Sequence, residues 1–356
     1  SHLVKFLILH FQNASKYPPL LNFIFELNKV GINFICITTG KRVENNNQDL
    51  IKYSTYGHLS FLVISLYNLI KNRPKTIMYF ETYSSFPVFV YTFFFSWLFP
   101  HKIIVHFHEY ETVEERKSVS FYYRLLSLIE LKWILPRASW ISHTNQDRLN
   151  FFLNDYPYLK MKNCQVLQNM PNQNWKKQNI ESQSSEINLI SKIVFAGSLG
   201  SESNLIKEFI VLVNTLKLNV SLDVFSGNID SNSKEILQQQ PWVKLHNPVE
   251  YSMLPGLFKN YDSGLILYSG ISKNHVYSIP NKFFEYASSG LSVISTNKLQ
   301  TLNTYLIREK VTFCELSEDF LFISGINSEK MNSEVELKKL IEFIKSNNEN
   351  SIYRRS

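Results

Sequence analysis

Cysteine is scarce in this sequence, and its spacing excludes the common metal and disulfide frameworks. The 356 residues hold three cysteines, Cys36, Cys164 and Cys314, which lie too far apart for a CxxC or Cys/His zinc motif. A reducing compartment is the natural interpretation. The length and a hydrophobic share of 44% predict two α/β domains of about 150–200 residues each.

Long apolar runs are also missing. The most apolar stretch, residues 86–100, has 15 residues, whereas a helix needs about 20 to span a bilayer. We expect a buried helix packed on a sheet there, and the alternative is a helix that dips into a membrane surface. No segment has the pattern of a signal peptide, so we expect a cytoplasmic protein.

Acidic residues are deficient in the first half of the chain. Residues 1–170 hold 18 lysines and arginines against 11 acidic residues, whereas residues 171–356 hold 19 of each. A basic half favours an anionic partner. The basic residues do not interleave with aromatics in any nucleic-acid motif, so we expect contact with an anionic membrane on its inner face and no nucleic acid. A diffuse, solvated charge excess is the alternative.

Short apolar runs alternate with amphipathic stretches through most of the chain, which is the βαβ pattern. The alternation stops in a polar stretch and then restarts. We predict two Rossmann-like, doubly wound domains, residues 1–172 and 191–330, joined by a linker at 173–190. A last helix within 331–356 is expected to cross back to the first domain. Ligands of such sheets bind at the carboxyl ends of the strands.

The segment Ser278–Ile294 combines a loop, a helix start, a glycine stop and a strand. Its helix begins at the carboxyl edge of the predicted sheet, where free N–H groups and the helix dipole can hold a phosphate. Lys282 adds a positive charge in the first turn. Glu285 lies three residues later on roughly the same face and can accept hydrogen bonds from a sugar diol. An ordinary surface Lys–Glu pair is an equally good interpretation of these residues alone.

Several segments in order resemble the GT-B glycosyltransferases, especially the retaining family 4. The signature-like segment PNKFFEYASSGLSVIS begins at Pro280, and KIVFAGS at Lys192 is similar to the strand–glycine opening of the second domain. LHNPVE at Leu245 resembles the loop that receives the nucleobase, and VHFHE at Val105 resembles the strand-end histidine motif. Together with residues 142–156 and 166–171, these segments span most of the chain between about residues 4 and 315.

The resemblance implies donor-binding roles in the second domain. Glu285 would bind the ribose hydroxyls, Lys282 and the backbone near Gly197 and Ser198 would hold the diphosphate, and Val249 would offer backbone contacts to the base. Ser278 and Asn281 complete the predicted donor-binding set. The chain has no Asp-x-Asp motif, so we expect no metal and no cofactor, with helix dipoles and lysine stabilising the leaving phosphate.

In the first domain the resemblance places His108 against the transferred sugar or the acceptor. We expect it to act first as a positioning group and second as a base. Glu109 would orient His108 or bind an acceptor hydroxyl, and Lys16 and Tyr17 are predicted to contact the acceptor.

The sequence departs from the family pattern at three positions. Tyr277 stands where many members have a first glutamate, and Ser198 and Asn204 stand where many have arginine and lysine. A catalytically silent GT-B subunit therefore stays open as an alternative.

The function we expect is transfer of a sugar from a nucleoside-diphosphate sugar to a hydroxyl of a lipid-linked glycan, with retention, in bacterial surface polysaccharide synthesis. A nucleotide-sugar 2-epimerase on the same scaffold is a second alternative. An NAD-dependent dehydrogenase fits poorly, because the loop after the first strand, residues 10–15, lacks G-x-G-x-x-G.

Overall fold

The computed structural model describes residues 5–14, 17–40, 51–54, 57–169, 171, 175, 192–200, 204–326 and 334–349. The chain divides into two compact units. The first unit comprises residues 1–169 and 333–356, and the second comprises residues 170–332. Most of the predicted linker lies outside the described residues. Trp175 within it is buried and packs against Tyr251 and Phe258 of the second unit.

In the described part of the first unit, seven parallel strands form one sheet in the order β3-β2-β1-β4-β5-β6-β7. Short runs of β-branched and aromatic residues, buried on both faces, favour such strands. Their bounds are β1 Phe6–Asn13, β2 Phe34–Thr39, β3 Ile51–Ser54, β4 Thr76–Tyr79, β5 Lys102–Phe107, β6 Trp140–His143 and β7 Cys164–Val166.

Helices pack on both faces of this sheet and connect its strands. They are α1 Pro18–Lys29, α2 Gly57–Asn72, α3 Thr82–Phe95, α4 Val113–Ser118, α5 Phe121–Ile129 and α6 Gln146–Asp155. The segment between β5 and β6 is not one continuous α-helix. Ser120 caps the start of α5 by accepting a hydrogen bond from the Tyr123 amide. The segment after α5 continues as a π-helical turn and then a 3₁₀ turn that contains Pro136.

The described residues of the second unit form another seven-stranded sheet, in the order β10-β9-β8-β11-β12-β14-β13. Its strands are β8 Lys192–Ala196, β9 Ser221–Phe225, β10 Val243–His246, β11 Ser263–Ile266, β12 Ser292–Thr296, β13 Thr312–Glu315 and β14 Phe320–Ser324. Strand β14 is antiparallel to both its neighbours. The connecting helices are α7 Ile206–Thr215, α8 Ser231–Gln238, α9 Leu254–Phe258, α10 Lys273–Val276, α11 Asn281–Ser288 and α12 Gln300–Arg308.

The last helix, α13 (Glu334–Glu349), belongs to the first unit although it follows the second in the chain. Leu340, Ile341 and Ile344 are buried in the same core cluster as Phe6 and Ile8 of β1. Burial of these aliphatic side chains fixes the carboxyl-terminal segment to the first sheet.

Each sheet has a point where the strand order reverses direction. In the first sheet it lies between β1 and β4, and in the second between β8 and β11. Loops that leave the carboxyl ends of such a strand pair diverge to opposite faces of the sheet and leave a crevice there. A ligand of each unit is therefore expected to bind at one of these two places.

Candidate active site

Helix α11 starts at the carboxyl edge of the second sheet, after β11 and before β12. Pro280 is its N-cap residue, and no side chain caps its first turn. Ser278 is buried and donates to the His275 carbonyl at 2.7 Å, which holds the approach to the helix, and Asn281 is the first helical residue. The free N–H groups of this turn lie where an anionic group would be stabilised.

Lys282 and Glu285 form an ion pair on α11, with Nζ and Oε2 2.5 Å apart. The carboxylate of Glu285 is almost completely buried, at 2% exposure, whereas the Lys282 side chain is 25% exposed. The Lys282 ammonium also lies over the Phe258 ring. A buried carboxylate held beside a cation is fixed in place, unlike the flexible partners of a surface pair.

Tyr286 fixes the position of α11 on the sheet. Its ring lies over Gly264 of β11, where an added Cβ would come within 2.2 Å of the ring carbons. The Tyr286 hydroxyl accepts a hydrogen bond from the amide of Ala196, the last residue of β8. The packing of this tyrosine thus ties the Lys282–Glu285 pair to the strand junction between β8 and β11.

The loop after β8 carries the next predicted donor-binding residues. Gly197 and Ser198 are both exposed, and the Gly197 amide donates to the Phe225 carbonyl at the end of β9. The Asn228 side-chain amide donates to the Ser198 hydroxyl at 3.1 Å. The loops after β8 and β9 are therefore joined at the carboxyl edge.

Three further residues of interest lie near the same edge. Val249 is half-buried and packs against the core below, ahead of the 3₁₀ turn Tyr251–Met253. Tyr277 is the C-cap residue of α10. Asn204 donates from its side chain to the Gly200 carbonyl and accepts from the Ile206 amide, so it closes the loop before α7.

In the first unit, His10 and Glu81 meet at the reversal of strand order. Nδ1 of His10, on β1, lies 2.7 Å from Oε2 of Glu81, two residues after β4. Glu81 also accepts hydrogen bonds from the Phe11 amide at 2.6 Å and from the Ser84 hydroxyl. His10 is completely buried, and its Nε2 has no hydrogen-bond partner among the described residues.

A carboxylate that receives Nδ1–H fixes the imidazole tautomer and leaves Nε2 as a hydrogen-bond acceptor. The same carboxylate stabilises the imidazolium that forms when Nε2 takes a proton. This His–carboxylate pair is therefore equipped for proton transfer or for holding a hydroxyl group.

Tyr17 covers both His10 and His108. Its ring centroid lies 4.4 Å from that of His10 and 4.6 Å from that of His108. His108 is buried just beyond β5, stacked on Phe80 at 5.0 Å, while the adjacent Glu109 is exposed. The structure brings Tyr17 and His108 together, and Lys16 lies outside the described residues.

Burial lowers the pKa values of the histidines around His108. Desolvation lowers the pKa of His106 to about 4, opposed by contacts with Asn169 and Ser142. It also lowers the pKa of His108, with the nearby charges of His106 and His10 acting in the same direction, and it lowers the pKa of His143. These three rings are neutral at neutral pH because the charged form is poorly solvated.

His10 and Glu81 were absent from the sequence-predicted site. They lie 71 positions apart, His10 within β1 and Glu81 just after β4, and neither belongs to a local motif. The sequence feature that could have indicated this pair is the position of both residues near the ends of two strands, which the βαβ pattern predicts to be neighbours. Gly264 and Tyr286 were also absent from the predicted site. No local motif joins them, because their contact is between a strand and a helix that follows later in the chain.

No family model and no curated protein matches the chain. Solved structures do. UDP-GlcNAc 2-epimerase from Methanocaldococcus jannaschii has 14% identity and a TM-score of 0.51, over 85% of this chain and 86% of that one. Anabaena Alr3699/HepE in complex with UDP and glucose has 11% identity and a TM-score of 0.55, over 81% and 80%. The lipopolysaccharide outer core galactosyltransferase WaaB has 11% identity and a TM-score of 0.52, over 82% and 80%.

The chain has the GT-B fold. This confirms the predicted fold class of two Rossmann-like domains. At 11–14% identity the likeness is one of fold, and function has to be argued from the residues of the site.

Within the described residues, no group of three or more His, Cys, Asp or Glu side chains could hold a metal ion. No helix in the described part of the chain has both the length and the apolar character needed to cross a bilayer.

Proposed function

We propose that this GT-B protein transfers a sugar from a nucleoside-diphosphate sugar to a hydroxyl of a glycan acceptor. The observation that carries the proposal is the Lys282–Glu285 pair, with its buried carboxylate, on the first turns of α11 at the strand junction of the second sheet. Such a junction is where α/β sheets bind nucleotides. The similar fold of Alr3699/HepE, solved with UDP and glucose, supports a nucleoside diphosphate as the ligand.

The donor diphosphate is proposed to lie against the amino end of α11 and the backbone of Gly197 and Ser198. Lys282 then shares its charge between Glu285 and the phosphates, and Glu285 accepts hydrogen bonds from the ribose hydroxyls. Fixed N–H dipoles and one lysine supply positive potential where the leaving diphosphate gains charge. We propose that the reaction proceeds without a metal or cofactor.

The acceptor hydroxyl is proposed to bind in the first unit, at Nε2 of His10. Glu81 holds the ring so that Nε2 accepts a hydrogen bond from the attacking hydroxyl, which orients the oxygen and raises its nucleophilicity. The ring of Tyr17 lies against that of His10 and is proposed to move aside when the acceptor binds, which makes Tyr17 a gate as well as an acceptor contact. His108 and Glu109 are proposed to shape the same pocket.

The basic first half and the fold of WaaB, a lipopolysaccharide outer core galactosyltransferase, support a lipid-linked glycan acceptor in bacterial surface polysaccharide synthesis. Retention of the anomeric configuration follows from the resemblance to family 4. We propose a cytoplasmic protein bound peripherally to the inner face of the membrane.

A 2-epimerase is the second candidate, because the UDP-GlcNAc 2-epimerase from Methanocaldococcus jannaschii has the same fold. One assay distinguishes the two reactions. An epimerase isomerises its nucleotide sugar without an acceptor, whereas a transferase releases nucleoside diphosphate only when an acceptor hydroxyl is supplied.

The first test is a thermal-shift panel with UDP, GDP, ADP, CMP and NAD. A ligand at 100 times its Kd stabilises the fold by about 2.7 kcal/mol, so one diphosphate is expected to raise the Tm and to identify the base. Glu285→Ala is expected to lose this shift, and Glu235→Ala, at an exposed glutamate of α8, is expected to keep it. A shift with NAD alone, or an undiminished shift in Glu285→Ala, would contradict the proposed site. No shift with any ligand would favour the silent subunit.

A further inference from the structure

The outer helices of the first unit expose many large apolar side chains. Trp97 is 76% exposed and Phe121 is 80% exposed. On α2 the exposed residues recur at helical spacing along one side. The full set is Leu59, Val63, Tyr67 and Ile70 on α2, Phe93, Phe94, Trp97 and Leu98 at the end of α3, and Phe121, Tyr122, Leu125, Leu128 and Trp133 along α5 and the turn after it.

These side chains form one continuous surface. Helix α3 packs against α2 on one side and against α5 and its following turn on the other. His58 at the start of α2 lies 5.5 Å, between ring centroids, from Tyr122 of α5. Phe93 of α3 lies 6.2 Å from Trp133. Monomeric soluble proteins rarely expose so large a contiguous apolar patch without using it to bind something.

The exposed charges of segments 57–99 and 118–137 have one sign. Lys71, Arg73, Arg124, Lys132 and Arg137 are exposed there. Three of them lie over aromatic rings of the same region, with Lys71 over Tyr67, Arg73 over Phe99 and Arg137 over Trp133. The acidic residues of segments 57–99 and 118–137 are Glu81, which receives three hydrogen bonds, and Glu130, which is fully buried. We call the exposed apolar residues and these five cations the apolar–basic face.

We propose that the apolar–basic face binds the surface of an anionic lipid bilayer. Aromatic side chains with neighbouring lysines and arginines are the residues that settle at the boundary of headgroups and acyl chains. Five cations without an exposed acid among these segments match a diffuse negative surface better than a protein partner, whose interface would pair both signs. The inference deepens the proposed function, because it names the surface that would bring a lipid-linked acceptor to the site.

The face reaches the candidate site of the same unit. His58 stacks on Phe11 with ring centroids 4.2 Å apart, and Tyr83 lies 5.3 Å from the same ring. Phe11 directly follows His10 and donates its amide hydrogen to Glu81. A sugar carried on a membrane lipid would therefore meet the His10–Glu81 pair at the edge of the face.

Vesicle co-sedimentation of the full chain tests the proposal. Vesicles of phosphatidylglycerol and phosphatidylcholine in equal parts are compared with vesicles of phosphatidylcholine alone. The double variant Phe94→Ser/Trp97→Ser removes apolar contact, and the triple variant Arg124→Gln/Lys132→Gln/Arg137→Gln removes charge. The control, Met253→Ser/Ile307→Ser, removes two comparably exposed apolar residues from the second unit.

The wild type and the control are expected to sediment with anionic vesicles and not with neutral ones. Each removed cation is expected to weaken binding about fivefold, and raised salt should weaken it as well. Circular dichroism and the Tm should be unchanged in all variants, because every changed side chain is exposed.

Three results would overturn the proposal. The first is that the folded wild type does not bind anionic vesicles. The second is that the control and the face variants lose vesicle binding equally. The third is a dimer in sedimentation that only Phe94→Ser/Trp97→Ser dissociates, since a second copy would then cover the face. Vesicle binding needs no turnover, so the two proposals can fail separately. Failure of the nucleotide panel rejects sugar transfer and leaves the membrane result unaffected.

Discussion

Two buried histidines of the first unit, His10 and His108, differ in what surrounds their ring nitrogens. His10 has a carboxylate partner, Glu81, on Nδ1. His108 makes no hydrogen bond of good geometry within the described residues, and burial and neighbouring histidines lower its pKa. A base needs a partner that stabilises its protonated form. His10 is therefore the stronger candidate for contact with the acceptor hydroxyl, and His108 fits a positioning role.

We predict that His10→Asn lowers kcat by about 100-fold, the usual contribution of a general base or hydroxyl-orienting group. Glu81→Gln should also lower kcat, because the amide no longer stabilises a charged ring. The loss should be smaller than in His10→Asn, because the amide still fills the space. Steady-state transfer kinetics measure both, with nucleotide binding by thermal shift as the internal check, since the proposed donor residues lie in the other unit. His101→Asn, at a half-buried, hydrogen-bonded histidine beyond α3, serves as the matched control. Full activity in His10→Asn would remove this pair from the mechanism.

Site residues were predictable where a short segment carries them. Lys282 and Glu285 lie one turn apart on one helix, and their spacing alone places them together. Tyr17 and His108 were predicted separately, and their contact depends on the tertiary packing of Tyr17, at the start of α1, against the residues after β5. Partnerships such as His10 with Glu81 depend on strand order, which a single sequence specifies only through its alternation.

At the scale of elements, strands with strong local patterns were predicted well. Strands β5 and β8 are short, mainly apolar runs, and β9 alternates apolar and polar residues, which are the two patterns that predict a strand. Strand β14 runs antiparallel between β12 and β13, and the repeated βα pattern gives no sign of such a return.

The packing of α11 on β11 leads to a prediction about Gly264. Gly264→Ala would place a methyl group within 2.2 Å of the Tyr286 ring, so either the ring or the helix has to move. Overpacking of this kind costs about 1–3 kcal/mol. We therefore expect a lower Tm together with weaker nucleotide binding, because α11 carries Lys282 and Glu285.

Gly256→Ala provides the control for this change. An added Cβ at Gly256 meets nothing within 4 Å, and alanine is the better helix former by up to about 1 kcal/mol. A Tm at or above that of the wild type is expected there. Equal Tm values in the two variants would show that Tyr286 does not fix the helix.

At the scale of the whole molecule, each unit completes its own core from distant parts of the chain. Helix α13 supplies buried residues to the first unit from the far end of the sequence. Trp175 supplies a buried ring to the second unit. It lies in a stretch whose polar composition predicts a linker. Composition averaged over a window cannot reveal one buried aromatic side chain.

The neutral histidines of the first unit predict how the stability of the molecule depends on pH. The pKa of His106 falls from an ordinary value of about 6.5 to about 4 on folding. The unfolded chain therefore binds the extra proton between these values, and stability is lost as pH falls from about 6.5 toward 4. From pH 7.5 to 5.0 this one histidine should cost about 2 kcal/mol.

Urea unfolding followed by circular dichroism at these two pH values measures the loss. His106→Gln keeps a polar side chain of similar length beside Ser142, which lies 2.9 Å from His106 Nδ1, but it cannot take up a proton. The variant is expected to be less stable at pH 7.5 and to lose about 2 kcal/mol less than the wild type on acidification. Because the comparison is between two pH differences, titrating groups that do not interact with His106 cancel. Identical pH dependence in both proteins would mean that His106 does not resist protonation, and that its surroundings are more polar than its burial implies.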